Sequence, residues 1–458
     1  MDVRVARLKS LAVAWLASLL ALPASAAELA TPQQLREDLQ TIADTLRDQH
    51  PETSHSVAPA SLRRALASAR ARLDAPMDRD QAWLQLAPLN SVLADAHTLV
   101  AYPDWRGDLK AHVAAGGGLF PYEVHVDGER GELFVVADLG GARSEQARAR
   151  ITRINGVSAR RVIERLMRLT HGDSPAFRAR LLEQRWAFYY WRAYGDPARF
   201  DIALRPIAAA APSRLTLSLP AASRLPALLA RDQNFERTFG FELRPERAAV
   251  LRIDSFVWSD PERFYAFTED AFAQIKRHGV RRLIVDIRDN GGGDDELWMR
   301  GLLRHIADRP YRNGSTYRKR VLAKFRSGEE VTGAIVRGEK TGLIEPVADD
   351  PLHYGGELIV LIGPATYSSS VLFANTVQDF GFGRVAGARG GVVRSRQSGS
   401  VQETRLPHSG LMFYWPRFVL DRPVPRKSPW LQPDLIVRDD PFDARVAIEQ
   451  LLALPAER

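Results

Sequence analysis

Two short runs of residues, apolar at nearly every position and each leading toward a helix-patterned stretch, constrain this chain more than any other feature. Arg282-Leu-Ile-Val-Asp286-Ile287 and Glu357-Leu-Ile-Val-Leu-Ile362 leave no face for water, so each must be a strand covered on both sides. Ala249-Val-Leu-Arg-Ile reads as a further strand of the same kind. Between and after them, Pro261 to His278, Glu296 to Ile306 and Ser369 to Phe380 carry helical spacing. Short buried strands alternating with helices imply an α/β layer built on a mostly parallel sheet. In such sheets ligands gather beyond the carboxyl ends of the strands.

Upstream the pattern is different. Leu35, Leu39, Ile42 and Leu46, then Leu62, Leu66 and Leu73, recur at helical intervals between Thr31 and about Asp95, with Pro51 and Pro59 as breaks. From about Gly116 to Leu217 strand-like runs take over, namely Glu123-Val-His-Val, Leu133-Phe-Val-Val and Phe200-Asp-Ile-Ala-Leu. Asn155-Gly156 is a turn framed by Ile151, Ile154 and Val157, and Ser158 stands where it would cap a following helix. Ala208 to Arg231 reads as a strand and linker. A length of 458 residues accommodates several such units.

The first residues read as an address. Arg4, Arg7 and Lys9 precede the apolar stretch Leu11 to Leu22, which exits through Pro23-Ala24-Ser25-Ala26-Ala27. That is a secretory signal pattern, cleaved after about Ala26. Its apolar middle is shorter than the roughly 20 residues a membrane span needs. The expected location is a bacterial periplasm or the exterior, and no later segment is apolar and long enough to span a bilayer. The chain has no cysteine, which removes disulfides, thiolate metal sites and thiol nucleophiles together. A net charge of +8 is spread among interleaved acids and bases without a basic run, so no nucleic-acid partner is expected. No His-Glu-x-x-His pairing occurs, and neither a metal nor a cofactor is expected.

Three segments are placed to carry chemistry. Asp286-Ile-Arg288-Asp-Asn290-Gly291-Gly292-Gly293 follows a buried strand, and its glycines let backbone N–H groups approach a ligand. It lacks the lysine and hydroxyl of a phosphate loop, which leaves an oxyanion hole or a plain tight turn. Gly363-Pro-Ala-Thr366-Tyr-Ser368-Ser369-Ser370 also follows a buried strand and opens a helix. A serine there is either a nucleophile at a strand-to-helix junction or a helix cap. Asp95-Ala-His97-Thr98 closes the helical region, and its histidine is either structural or a base.

Together these segments resemble the C-terminal-processing (tail-specific) serine peptidases, in their tricorn-core-like branch. Asp286 to Gly293 is similar to the family's glycine motif, and Thr366 to Ser370 to its nucleophile segment, with Ser368 in the nucleophile's place. Asp95-Ala-His97-Thr98 resembles the segment that supplies the base in the branch without a catalytic lysine, and Gln432-Pro433-Asp434-Leu-Ile-Val437 a closing strand. The resemblance implies a ClpP/crotonase-like catalytic core at 240–458, a helical segment carrying His97 at 27–115 and an inserted PDZ-like domain at 116–222. It implies a serine endopeptidase acting on peptides or unfolded proteins. Ser368 would be the nucleophile, His97 the general base and Asp421 the orienting acid, with Asp95 and Glu403 as other candidates. The N–H groups of Ser369 and of Gly292 or Gly293 would form the oxyanion hole. Gly117, Gly118, Leu119 and Phe120 would receive a peptide end.

Lysine content sharpens this. Only seven of the 63 basic residues are lysine, and after Ser368 the single lysine is Lys427, while Arg389, Arg394 and Arg396 fill the intervening stretch. Arginine does not act as a general base near neutral pH, so a Ser–Lys dyad is disfavoured and His97 must serve. The stretch Gly387-Ala-Arg389-Gly390-Gly391 lacks the acid the family usually carries there. Two alternatives follow: a catalytically weak or inactive peptide-binding protein on the same scaffold, and an acyl-CoA enzyme, which an export signal disfavours. The oligomeric state is not set by the sequence.

Overall fold

The structure is a computed structural model that describes residues 29–206, 215–231, 234–391 and 393–455. The signal-like segment therefore lies outside the described residues, as does part of the Ala208–Arg231 linker.

The N-terminal region is helical, as its spacing predicts. Pro32–Asp48 opens with a capping box between Thr31 and Gln34, and turns Leu35, Leu39, Ile42 and Leu46 inward. Pro59–Arg72, Arg79–Leu86 and Pro88–Leu93 follow. The last of these ends on Ala94 at φ +50°. The chain then turns through Asp95 and His97 into the strand Leu99–Ala101.

Residues 122–220 form an antiparallel sheet of six strands, with Tyr122–Asp127 at one edge and Leu215–Pro220 at the other. Asn155 at φ +46° and Gly156 at φ +77° make the two-residue turn that their sequence anticipates. The helix Pro175–Gln184 packs beside the Tyr122–Asp127 edge. Its Phe177 and Leu181 join the apolar core of the C-terminal sheet instead of their own.

That C-terminal sheet runs in the order Leu435–Ile436, Arg384–Gly387, Glu357–Leu361, Arg282–Asp286, Ala248–Ile253 and Phe239–Arg244. Every pair is parallel except the last. Leu283 faces Leu358 on one side and Ala249 on the other, and all five residues of its strand are buried. The mixed α/β architecture expected from the alternating strands is present. Glu296–Ile306, expected as one helix, is instead a short helix, a wider π-helical turn at Met299–Leu303 and a final helical turn.

A third, five-stranded sheet has no precursor in the sequence reading. Met412–Leu420 pairs with Gln397–Arg405, with Thr316–Arg320 and with Leu99–Ala101. The pairing Leu99↔Tyr414 brings the end of the N-terminal helical region against the C-terminal half of the chain. Among the described residues no helix is long and apolar enough to cross a membrane.

The glycine loop is fixed by backbone contacts on both flanks. Ile287 N–H donates to Leu361 O (2.9 Å), Phe256 N–H to Gly292 O (3.0 Å) and Asp294 N–H to Phe256 O (2.8 Å). Gly292 sits at φ +99° and Gly293 at φ +145°, where side chains are strained. A Cβ on Gly293 would lie 2.1 Å from the Phe256 carbonyl oxygen. Gly293→Ala is therefore expected to destabilise the fold by about 1–3 kcal/mol through forced displacement of this loop. Urea unfolding measures it, and an unchanged midpoint would mean that the loop accommodates the methyl elsewhere.

Candidate active site

The three consecutive serines part company in the structure. Ser370 Oγ lies 2.7 Å from Asn290 O, 2.9 Å from Tyr367 O and 3.0 Å from Asn290 Oδ1, tying the serine segment to the glycine loop. Ser369 Oγ donates to Asp295 and accepts from Trp298 Nε1 (2.9 Å). Both are buried and committed. Ser368 is different. It precedes the helix Ser369–Phe380 at φ +55°, ψ −125°, and its side chain makes no capping bond. A non-glycine residue at positive φ is strained, and such strain collects where a side chain must be presented. Its own N–H donates to Gln397 Oε1 (3.0 Å).

The glycine loop lies directly against this serine. A Cβ on Gly292 would meet Ser368 Cβ at 2.7 Å and Ser369 N at 2.9 Å, so only glycine allows the approach. The N–H of Gly292 is already donated to Asn290 Oδ1 (2.9 Å). Ser369 is the first residue of its helix, a position whose N–H has no intrahelical acceptor.

His97 comes to the same place. Its ring lies 5.0 Å, centroid to centroid, from that of Tyr367, the residue before Ser368. Ala96 N–H donates to Tyr367 Oη (3.2 Å). No hydrogen bond joins His97 to Ser368. His97 Nδ1 is 2.9 Å from Ser398 Oγ, which in turn donates to Asp95 Oδ1 (3.0 Å).

Asp95 is fully buried, with five donor groups within hydrogen-bond distance of its carboxylate. Oδ1 takes the N–H of His97 (2.9 Å) and the hydroxyls of Tyr367 (3.0 Å) and Ser398, while Oδ2 takes His55 Nε2 (3.0 Å) and Thr98 Oγ1 (3.0 Å). Burial alone would raise its carboxyl, but His55 and the other donors hold it well below the usual carboxylate range. Burial lowers the His97 imidazole, with Asp95 pulling the other way. Tyr367 Oη also lies 3.0 Å from Asp173 Oδ1, and burial pushes the Asp173 carboxyl up to about 6 against the nearby Arg394. One hydroxyl proton serves one of these two acids at a time.

His50, His55 and Asp95 offer ligand atoms within 4.8 Å of one another. The donor pattern does not suit a metal. His50 Nδ1 accepts the Glu52 N–H (3.0 Å), which puts the ring proton on Nε2, facing Thr98 Oγ1 (3.3 Å). Thr98 then donates to Asp95, so the set is closed as a hydrogen-bonded network.

Other anticipated residues lie apart from this cluster. Asp421, expected to orient His97, pairs with Arg396 Nε (3.0 Å) and Thr316 Oγ1, and has no contact with His97. Glu403 is exposed on the Gln397–Arg405 strand. Leu119 and Phe120 are each 1% exposed, so their side chains belong to the core. The N–H groups of Gly117 and Leu119 are spent on His112 O and Ala222 O (both 2.9 Å), and Gly118 O faces His112 Nε2 (3.2 Å). Sequence reasoning did not find Ser398, Gln397, His55 or Asp173. Each reaches the site by strand pairing or loop packing, and no spacing rule marks them.

Residues 247–415 match the model of Peptidase family S41. The fold is similar to that of mature CPAF complexed with lactacystin, with 14% identity, a TM-score of 0.61 and 92% of this chain covered against 97% of that one. A mutant of CPAF gives 14%, 0.62, 92% and 96%. The photosystem II D1 C-terminal processing protease gives 17%, 0.46, 92% and 97%. No curated protein matches the sequence. The matched span holds the glycine loop, Ser368 and the Gln397–Arg405 strand's Ser398, so it is this part of the chain that is similar to Peptidase family S41, and the match supports a serine-type peptidase.

Proposed function

We propose that this protein is an exported endopeptidase that cleaves peptide bonds through an acyl-enzyme on Ser368, with His97 as general base. One observation carries the reading: Ser369 and Ser370 are locked into packing, while Ser368 is held at a strained φ with an uncommitted hydroxyl among the described residues. The imidazole of His97, whose ring lies 5.0 Å from that of the neighbouring Tyr367, is the base of this reading.

Attack by Ser368 Oγ on a peptide carbonyl transfers its proton to His97 Nε2 and pushes the carbonyl electrons onto oxygen. The N–H of Ser369 supports that oxyanion from the helix start. Gly293 is the better glycine partner, because the N–H of Gly292 is already donated to Asn290. Collapse expels the amine, which takes the proton from His97, and water then hydrolyses the ester with His97 again as base. The signal-like N-terminus supports export.

For a peptide-capturing role of the 116–222 unit, the occupied N–H groups of Gly117 and Leu119 favour the open sheet edge instead. Tyr122–Asp127 has a strand neighbour on one side only and the helix Pro175–Gln184 on the other; a peptide adding there as a further strand would displace the bond from Val126 N–H to Glu183 Oε1 (2.8 Å). A cavity of about 440 Å³ lies along this edge, between His125–Gly128, Pro175–Glu183 and the ends of the parallel strands at Asp254 and Asp286.

Ser368→Ala is expected to lower cleavage of an unstructured peptide by about six orders of magnitude while the fold is retained. Peptide turnover and fluorophosphonate labelling of both proteins test this, and undiminished turnover in the variant would end the proposal. His97 must be neutral to accept a proton, and burial lowers its pKa, so the neutral form persists to lower pH. The acid limb of kcat/KM is therefore expected below the ordinary histidine value of about 6.5. A limb at or above that value would assign the base elsewhere.

A further inference from the structure

Asp421 is committed to Arg396 and Thr316, which leaves the support of His97 to groups that actually meet it. Those groups are Asp95, Tyr367 and, on the return strand, Ser398, while His55 and His171 act on the ring electrostatically. Asp95 is ionised and can only accept, so the single hydroxyl proton of Ser398 is directed at Asp95 Oδ1 (3.0 Å). Ser398 Oγ therefore faces His97 Nδ1 (2.9 Å) with a lone pair, and the ring proton must sit on Nδ1. The Nε2 atom is then left as the acceptor. The same carboxylate also holds the backbone of His97 by its N–H (2.9 Å).

We infer that Asp95 is the acid of this site and acts on His97 through the hydroxyl of Ser398, making Ser398 a positioning residue for the base. The inference rests on the Ser368–His97 reading above. No proton travels along the relay. When Ser368 gives its proton to Nε2, the Nδ1–H stays on the ring and its hydrogen bond to Ser398 strengthens, polarised by the carboxylate behind it. Ser398 thus fixes the productive tautomer and stabilises the imidazolium, two tasks that a carboxylate in direct contact performs in other serine hydrolases. The remaining donors to Asp95 keep it ionised and immobile, so that its charge is available to the relay.

The test is Ser398→Ala and Ser398→Thr in the full chain, alongside Ser368→Ala, with kcat and KM measured on an unstructured peptide across pH. Ser398→Ala is expected to lower kcat by about 10- to 100-fold, the size of one lost hydrogen bond to a charged group, with KM little changed. It also removes support for the charged ring, so the acid limb should move to still lower pH. Ser398→Thr restores the hydroxyl and should recover kcat to within a few-fold of the parent. Wild-type kcat and limb position in Ser398→Ala, with Ser368→Ala inactive, would overturn the relay while leaving the nucleophile assignment intact. A fall in kcat that Thr does not rescue and that leaves the limb in place would overturn it equally. Turnover surviving in Ser368→Ala would instead bring down the underlying reading. Should Ser398→Ala not fold, Ser398→Cys, a weaker donor of similar shape, is read against the same two quantities.

Discussion

A carboxylate taken out of water costs several kcal/mol unless its lone pairs are met by donors, and Asp95 is met by five. The donors come from three separated parts of the chain: His55, His97 and Thr98 near the N-terminus, Tyr367 before the serine helix, and Ser398 on the return strand. Removing any one of these parts would leave the charge under-satisfied, so the carboxylate makes their convergence a condition of stability as well as of chemistry. Electrostatics and assembly are the same constraint here.

Backbone pairing delivers the donors. Leu99–Ala101 is only three residues long, yet its pairing with Met412–Leu420 anchors the His97 turn on the far half of the molecule. The same long strand pairs with Gln397–Arg405 and sets Ser398 opposite Val419. The parallel sheet supplies the other two components at strand ends: the glycine loop after Arg282–Asp286 and the serine turn after Glu357–Leu361. Phe177 bridges the remaining gap, packing 5.0 Å from the Tyr367 ring, and Arg180 on the same helix pairs with Asp289 (2.7 Å) inside the glycine loop. The helix lining the edge of the middle sheet is thus also a buttress of the glycine loop and the serine turn.

Much of this was legible in the amino-acid order because it is local. Burial on both faces marked Arg282–Asp286 and Glu357–Leu361, and spacing marked the helices that follow Asp260 and Ser368. Glycine and serine runs after those strands marked the two loops. The five-stranded sheet was not legible: Gln397–Arg405 and Met412–Leu420 mix buried and exposed residues without strict alternation. The two pair with each other across a short turn, but Met412–Leu420 is also held by Thr316–Arg320 and by Leu99–Ala101, the latter some 300 residues away in sequence, and pairing at that distance leaves no periodic trace. The internal bonding of the Gly117–Phe120 loop was hidden for a related reason. Gly116 to Leu119 look free in sequence, but in the fold the N–H groups of Gly116, Gly117 and Leu119 are donated to Val113 O, His112 O and Ala222 O, and Gly118 O faces His112 Nε2.

The orienting acid shows the same limit in sharper form. In sequence the stretch after Ser368 points to Asp421, but Arg396 lies 3.0 Å from that acid, whose own side chain is 39% exposed. An exposed acid already paired with arginine has little field left for an imidazole, since solvent and counter-charge both screen it. Asp95 is two residues from His97, too close for the side chains to meet head-on when the backbone between them turns and donates its N–H to the acid. An intervening hydroxyl resolves that geometry by carrying the carboxylate's influence around the turn to Nδ1. In the proposed relay the residue that supplies it is Ser398, which the strand Gln397–Arg405 sets 2.9 Å from His97 Nδ1 and 3.0 Å from Asp95 Oδ1.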